Sequence, residues 1–204
     1  MEFYELHPVT PQIRYINKAV EVLKDGGVII YPTDTVYGLG CSIYSKDALD
    51  RIYMIKNEAG TKLFSFIIPD FKDISKYARV SDYAYKVMKK LLPGPYTFVL
   101  PAAKEVPKKL WTKRKTVGIR IPDHQIALTI AKELGSPIVS TSVTTRKGEL
   151  VFEPMEMQAK FNSQVDLMLS VGILNGNTSS IVDLSKEQVE IIREGAGDLS
   201  MFYK

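Results

Sequence analysis

Four apolar residues in a row, Val28-Ile29-Ile30-Tyr31, stand between Asp25-Gly26-Gly27 and Pro32. The run is too short for a helix of its own and has no polar residue to turn toward water. It therefore reads as a strand buried on both faces. Similar short runs recur as "LFSFII" (63–68), "PIVSTSV" (137–143) and "VDLMLSV" (165–171). "TFVL", "KTVGIRIP" (115–122), "SSIVDLS" and "VEIIRE" complete the set of expected strands.

Helical spacing fills the intervals. Thr10-Pro11 reads as an N-cap followed by a first-turn proline, and Ile13, Ile16, Ala19, Val20 and Leu23 then recur on one side. Asp25-Gly26-Gly27 ends that helix. Ser45 caps a second one over about 46–56, with Ala48, Leu49, Ile52 and Ile55 on one side. Ser81 opens a third that ends near Leu92, 124–135 makes a fourth ending at Gly135, and Glu153-Pro154 starts a fifth. Strands and helices interleave throughout. The expectation is an α/β fold, an open twisted sheet flanked by helices, with residues 1–204 forming one domain and no additional C-terminal domain.

With 45% hydrophobic residues, the 204-residue chain can bury a real core. No stretch of about 18 apolar residues exists, so no membrane span is expected. The N-terminal "MEFYELHPVT" is acidic and aromatic, unlike a signal peptide. One cysteine, Cys41, fits a reducing cytoplasm and reads as a buried thiol. Two histidines, His7 and His124, and that cysteine do not assemble a zinc site. The net charge of +4 is small, but its distribution is uneven: lysines and arginines cluster at 86–90, 104–115 and 144–149. Such clusters attract phosphates, and they also occur as solvated surface.

Two strands end in hydroxyl-rich tips, Thr33-Asp34-Thr35 after the first apolar run and Ser140-Thr141-Ser142 in "PIVSTSV". Arg120 stands inside a third apolar strand, where a guanidinium needs a partner. In open α/β sheets ligands bind beyond strand ends where such tips converge, so these groups are expected to face one cleft. "PGPYT" (93–97) reads as a structural turn, since its prolines and glycine dictate backbone shape.

"GGVIIYPTDTVYGLGC", "LLPGPYTFVL", "TVGIRIPDH", "PIVSTSV", "SSIVDL" and "REGAG" follow one another in an order that resembles the YrdC/YciO family. The likeness runs over about residues 10–198, and the wording around 93–110 and 113–122 is most similar to the YciO branch. The best-known members of that family make threonylcarbamoyl-adenylate for tRNA modification. The resemblance implies a YrdC-like mixed sheet. It also implies a reaction that joins L-threonine, bicarbonate and ATP and releases diphosphate, with Mg2+ carried on the triphosphate. In that chemistry a carbamate oxygen attacks the α-phosphorus, and the protein mainly positions substrates and offsets phosphate charge.

Residue roles come with the same likeness. Lys56 and Arg120 would be the catalytic cations. Thr33, Arg120 and Thr141 would hold threonine, with the Arg120 fork on its carboxylate. Lys56, Lys62, Ser140, Ser142, Ser179 and Arg193 would hold ATP, while Asp34 and Tyr37 complete the cleft mouth. Plainer roles compete: Lys56 as a helix C-terminal charge, and Arg193 in an ion pair with Glu190 or Glu194.

Several positions depart from the family pattern. Glu58 stands where the family has an arginine, Lys62-Leu63 replaces an asparagine-proline, Ile67 replaces a histidine, and Thr144 replaces an asparagine. The first of these changes local charge by two units. Two other functions therefore stand beside synthesis. One is binding of double-stranded RNA or tRNA by the basic surface, with Trp111 and Tyr96 as stacking groups. The other is an enzyme acting on tRNA that already carries the threonylcarbamoyl group.

Overall fold

The computed structural model describes residues 1–57, 64–110, 115–174, 176–186 and 188–203. From the N-terminus these form β1 (Glu2–Glu5), α1 (Ile13–Lys24), β2 (Val28–Tyr31), β3 (Gly38–Ser42), α2 (Lys46–Lys56), β4 (Ser65–Ile67) and the short α3 (Ile74–Tyr77). There follow α4 (Asp82–Leu91), β5 (Tyr96–Pro101), β6 (Thr116–Arg120), α5 (Gln125–Leu134), β7 (Ile138–Ser142) and α6 (Pro154–Phe161). β8 (Leu167–Ser170), β9 (Ser180–Asp183) and β10 (Glu190–Arg193) close the order.

All ten strands join one mixed, open sheet in the order β1-β8-β2-β3-β7-β4-β6-β5-β9-β10. The pairs β1/β8, β2/β8, β4/β6 and β5/β9 are parallel, and the other five are antiparallel. β2 is buried along its whole length, as its composition requires. On one face, Ile16, Ala19 and Leu23 of α1 and Ile126 and Ile130 of α5 pack over Ile29, Tyr31 and Leu167. On the other, Ile52 of α2, Met88 of α4 and Met157 of α6 pack over Leu39, Phe66, Phe98 and Ile119. Helices on both faces give the layered α/β arrangement that the alternating pattern predicts.

Local signals set most boundaries. Ser45 and Ser81 accept the backbone N–H groups of Ala48 and Ala84, as N-caps do. Gly26 and Gly135 take the left-handed conformation just past α1 and at the end of α5. Thr10 is a correction: α1 starts at Ile13 behind Gln12, and the Thr10 hydroxyl meets His7 Nδ1 instead. Two strands lie outside the sequence reading, β1 and β3. Consequently Thr33-Asp34-Thr35 is the connection of a β2–β3 hairpin and not a free strand end.

Gly38 and Gly40 explain how so plain a strand as β3 fits. A Cβ on Gly38 would sit 2.9 Å from Tyr31 Cζ, and one on Gly40 would sit 2.7 Å from Ile138 Cγ2. The bare backbone makes room for the buried Tyr31 ring, whose hydroxyl reaches Ser140 Oγ on β7 at 2.6 Å. Cys41 on the same strand is fully buried, and burial pushes its thiol up to about 12. Tyr96, offered as a base-stacking group, is instead buried: its ring stacks on Phe98 and its hydroxyl donates to Asp198 O. Trp111, Glu58 and Lys62 lie outside the described residues.

Candidate functional site

The hairpin between β2 and β3 delivers Thr33, Asp34 and Thr35 to the C-terminal end of β6, where Arg120 emerges. Arg120 is only 7% exposed. Its Nη2 donates to Asp34 Oδ1 at 2.6 Å, Thr35 Oγ1 at 2.7 Å and Thr33 Oγ1 at 3.3 Å. Asp34 Oδ2 accepts from the Asp123 backbone N–H at 3.0 Å, so the carboxylate is held from both sides. Thr33 Oγ1 donates to Val36 O at 2.6 Å and accepts from Thr35 N. Its single hydrogen is therefore already used, and what Thr33 contributes is the fixing of Arg120. The buried Nε of Arg120 has no partner among the described residues. Fold contacts thus hold one nitrogen of the fork and leave donor capacity unspent.

That capacity faces a cavity of about 200 Å³. Ser140 and Ser142 line it from β7, with Thr141 at the alternate position between them, and Ser65 lines it from β4. Ser179 and Arg193 close the opposite side, and Ile181 with the half-exposed Ile192 supplies an apolar wall. Arg193 Nε and Nη2 donate to Ser179 O at 3.0 and 2.8 Å. Neither acid proposed for it pairs with it: Glu190 meets Lys186, and Glu194 accepts from the Tyr203 hydroxyl. Burial, and then the nearby Arg120 charge, push the Arg193 pKa below the usual arginine range. Asp34 offsets the Arg120 charge, whereas Arg193 has no acidic partner among the described residues.

Of the residues expected at one site, Thr33, Arg120, Ser140, Thr141, Ser142, Ser179 and Arg193 converge, and Tyr37 joins them. Lys56 comes close but does not line the cavity. Its ammonium, buried at the end of α2, donates to Ser142 O at 3.1 Å and to Thr144 Oγ1. Asp34 acts from behind Arg120. The lining also includes Val36, Gly38, Ser65, Ile181 and Ile192, which the sequence reading passed over. Only strand register could have found Ser65, which is paired with Ser140 on the next strand.

A wider hollow of about 640 Å³ lies past the C-terminal ends of β5 and β9, bordered by Arg79, Tyr83 and Lys186. It gathers none of the hydroxyl-rich tips and shares no lining residue with the Arg120 cavity. Among the described residues no group of three His, Cys, Asp or Glu side chains could hold a metal, and no helix is long and apolar enough to cross a membrane.

Fold and cavity together define a mixed-sheet α/β protein with a cationic, hydroxyl-rich pocket at its strand ends. The Sua5/YciO/YrdC family model, described as "Telomere recombination", matches residues 21–195, and the chain belongs to that family. It is 43% identical over 204 residues to an uncharacterized protein of Haemophilus influenzae, covering 98% of this chain and 99% of that one. It is 30% identical over 185 residues to the threonylcarbamoyl-AMP synthase of Vibrio vulnificus, covering 88% and 98%. The crystal structure of E. coli YciO superposes with a TM-score of 0.94 at 40% identity, over 99% of this chain and all of the other. P. abyssi Sua5 complexed with L-threonine shares the fold, with a TM-score of 0.89 at 24% identity over 96% of this chain and 58% of that one.

Proposed function

We propose that the cavity binds L-threonine beside ATP, and that the protein is a threonylcarbamoyl-AMP synthase-like enzyme of tRNA threonylcarbamoylation. One observation carries the reading. A buried guanidinium with unspent donors, Arg120, faces a second one that has no acidic partner among the described residues, Arg193, across a floor of serine hydroxyls. Relatives support it, since one is named a threonylcarbamoyl-AMP synthase and a Sua5 structure is complexed with L-threonine.

In this scheme the Arg120 fork takes the threonine carboxylate, and Arg193 faces nucleotide phosphate. Lys56 acts through Ser142 and Thr144 at the margin. Threonine's amine takes up carbon dioxide as a carbamate, whose oxygen displaces diphosphate at the α-phosphorus. Fixed charges that need not reorganise lower such a barrier. Mg2+ would arrive on the triphosphate, held by its oxygens and water.

Diphosphate release tests the reading. It should require threonine, bicarbonate and ATP together and fall by about 10²-fold in Arg120→Ala. Background release that ignores both threonine and the substitution would remove the proposal.

RNA binding is the second reading, carried by the exposed Lys86, Lys89, Lys90, Lys104, Lys108 and Lys115. It loses Tyr96 as a stacking platform. It expects log affinity for a duplex to fall with log salt at about −0.9 per phosphate contact. Affinity indifferent to salt would exclude it.

A further inference from the structure

We infer that Ser65 and Ser140, with Tyr31 behind them, form a cradle of unspent donors for one anionic oxygen of the bound ligand. The inference rests on the proposed reading of the cavity and assigns residues and chemistry within it.

Register places the pair. Ser140 on β7 is the cross-strand partner of Ser65 on β4, and Ser65 in turn is the partner of Gly118 on β6. Cross-strand partners lie on one face of a sheet. The row Ser140, Ser65, Gly118 therefore forms a floor of short side chains across three adjacent strands, and Arg120 stands two residues beyond Gly118 on the same face.

Hydrogen-bond accounting gives the chemistry. Tyr31 is fully buried and donates to Ser140 Oγ at 2.6 Å, occupying an acceptor site and leaving the Ser140 hydrogen free. A hydroxyl that accepts such a bond becomes a better donor itself. Burial raises the Tyr31 pKa, which keeps its proton in place at any ordinary pH. The Ser65 hydroxyl makes no hydrogen bond with another described residue, although Ser65 is half-buried on the cavity wall. The unpartnered Arg120 Nε–H completes the set. Three unspent donors, one of them on a charged guanidinium, suit a carboxylate or phosphoryl oxygen better than a neutral group. Ser65 is then a ligand-contacting residue and Tyr31 a positioning one.

Calorimetry with the full chain decides it, using two pairs of probes: L-threonine with L-threoninol, which lacks the carboxylate, and AMP with adenosine, which lacks the phosphate. Ser65→Ala should weaken an anionic probe about tenfold and leave its neutralised counterpart unchanged. Ser65→Val, which fills the floor as well, should weaken it further, and Ser65→Thr should restore most of the loss. Tyr31→Phe should weaken the same probe by a smaller factor, with the same indifference toward the counterpart. The pair that responds names the source of the oxygen, amino acid or nucleotide. Wild-type binding that Ser65→Ala and Ser65→Val leave unaltered, or a loss equal for anionic and neutralised probes, overturns the cradle alone. Absence of wild-type binding to every probe overturns the site reading and the cradle with it.

Discussion

Asp34 is what allows a guanidinium to sit inside this sheet. Both side chains of the Arg120–Asp34 pair are 9% exposed, so neither charge has water to fall back on. Removing one partner strands the other, and Asp34→Ala should cost about 3 kcal/mol in urea unfolding. Asp34→Ala combined with Arg120→Met should recover part of that loss, because no charge is then left unpaired. A titratable neighbour adds a pH dependence. His124 has a buried Nδ1 without a partner, and burial lowers its pKa below 6.5 against the smaller pull of Asp34 and Asp123. The folded state thus prefers the neutral ring. Stability from this residue is complete above about pH 6.5 and declines as pH drops toward the lowered folded value, since the unfolded chain takes up the proton first. The urea midpoint should therefore fall more from pH 7.5 to 5.5 in the wild type than in His124→Gln. Equal falls would show that the ring does not contribute. At this scale the sequence spoke clearly about Arg120, because an arginine in an apolar strand demands an explanation. It could not say that the Thr33 hydroxyl is consumed by Val36 O, since that depends on the shape of the hairpin.

The β2–β3 hairpin shows why some elements are hard to read. β3 is Gly-Leu-Gly-Cys-Ser, with no β-branched residue and two glycines, a composition that ordinarily weakens strands. It forms because those glycines admit the Tyr31 ring, a packing fact that no local pattern carries. Gly38→Ala is accordingly expected to destabilise by about 2 kcal/mol, through overpacking against Tyr31 and Ser140. A thermal melt that places this variant level with the wild type would dismiss the account. Helices were easier, since α2 and α4 carry both their serine caps and their apolar stripes in plain sight. Ser45→Ala should cost about 1 kcal/mol by the same measurement. β1 is opposite in kind: four residues held at the sheet edge by β8, whose sequence lies more than 160 positions away.

Over the whole molecule, one continuous sheet ties distant segments together, with β1 and β2 both waiting for β8 to arrive. Such non-local pairing predicts slow folding but a single transition, so far-UV and near-UV circular dichroism should report the same urea midpoint. The class of fold was legible because strand and helix patterns alternate, and the motif order carried the family. The cavity's make-up was legible only in part, for its floor is assembled across strands whose register the chain does not advertise. Arg193 stands at the far margin of that assembly, on β10, a strand with a neighbour on one side only and an irregular register between Ile191 and Arg193. A molecule seated in the hollow and gripping that guanidinium would fasten the loosest ribbon to the interior. Guest binding and the anchoring of this outermost segment would then share one free energy, and slowed amide exchange at Ile191–Arg193 would be the earliest sign of occupancy.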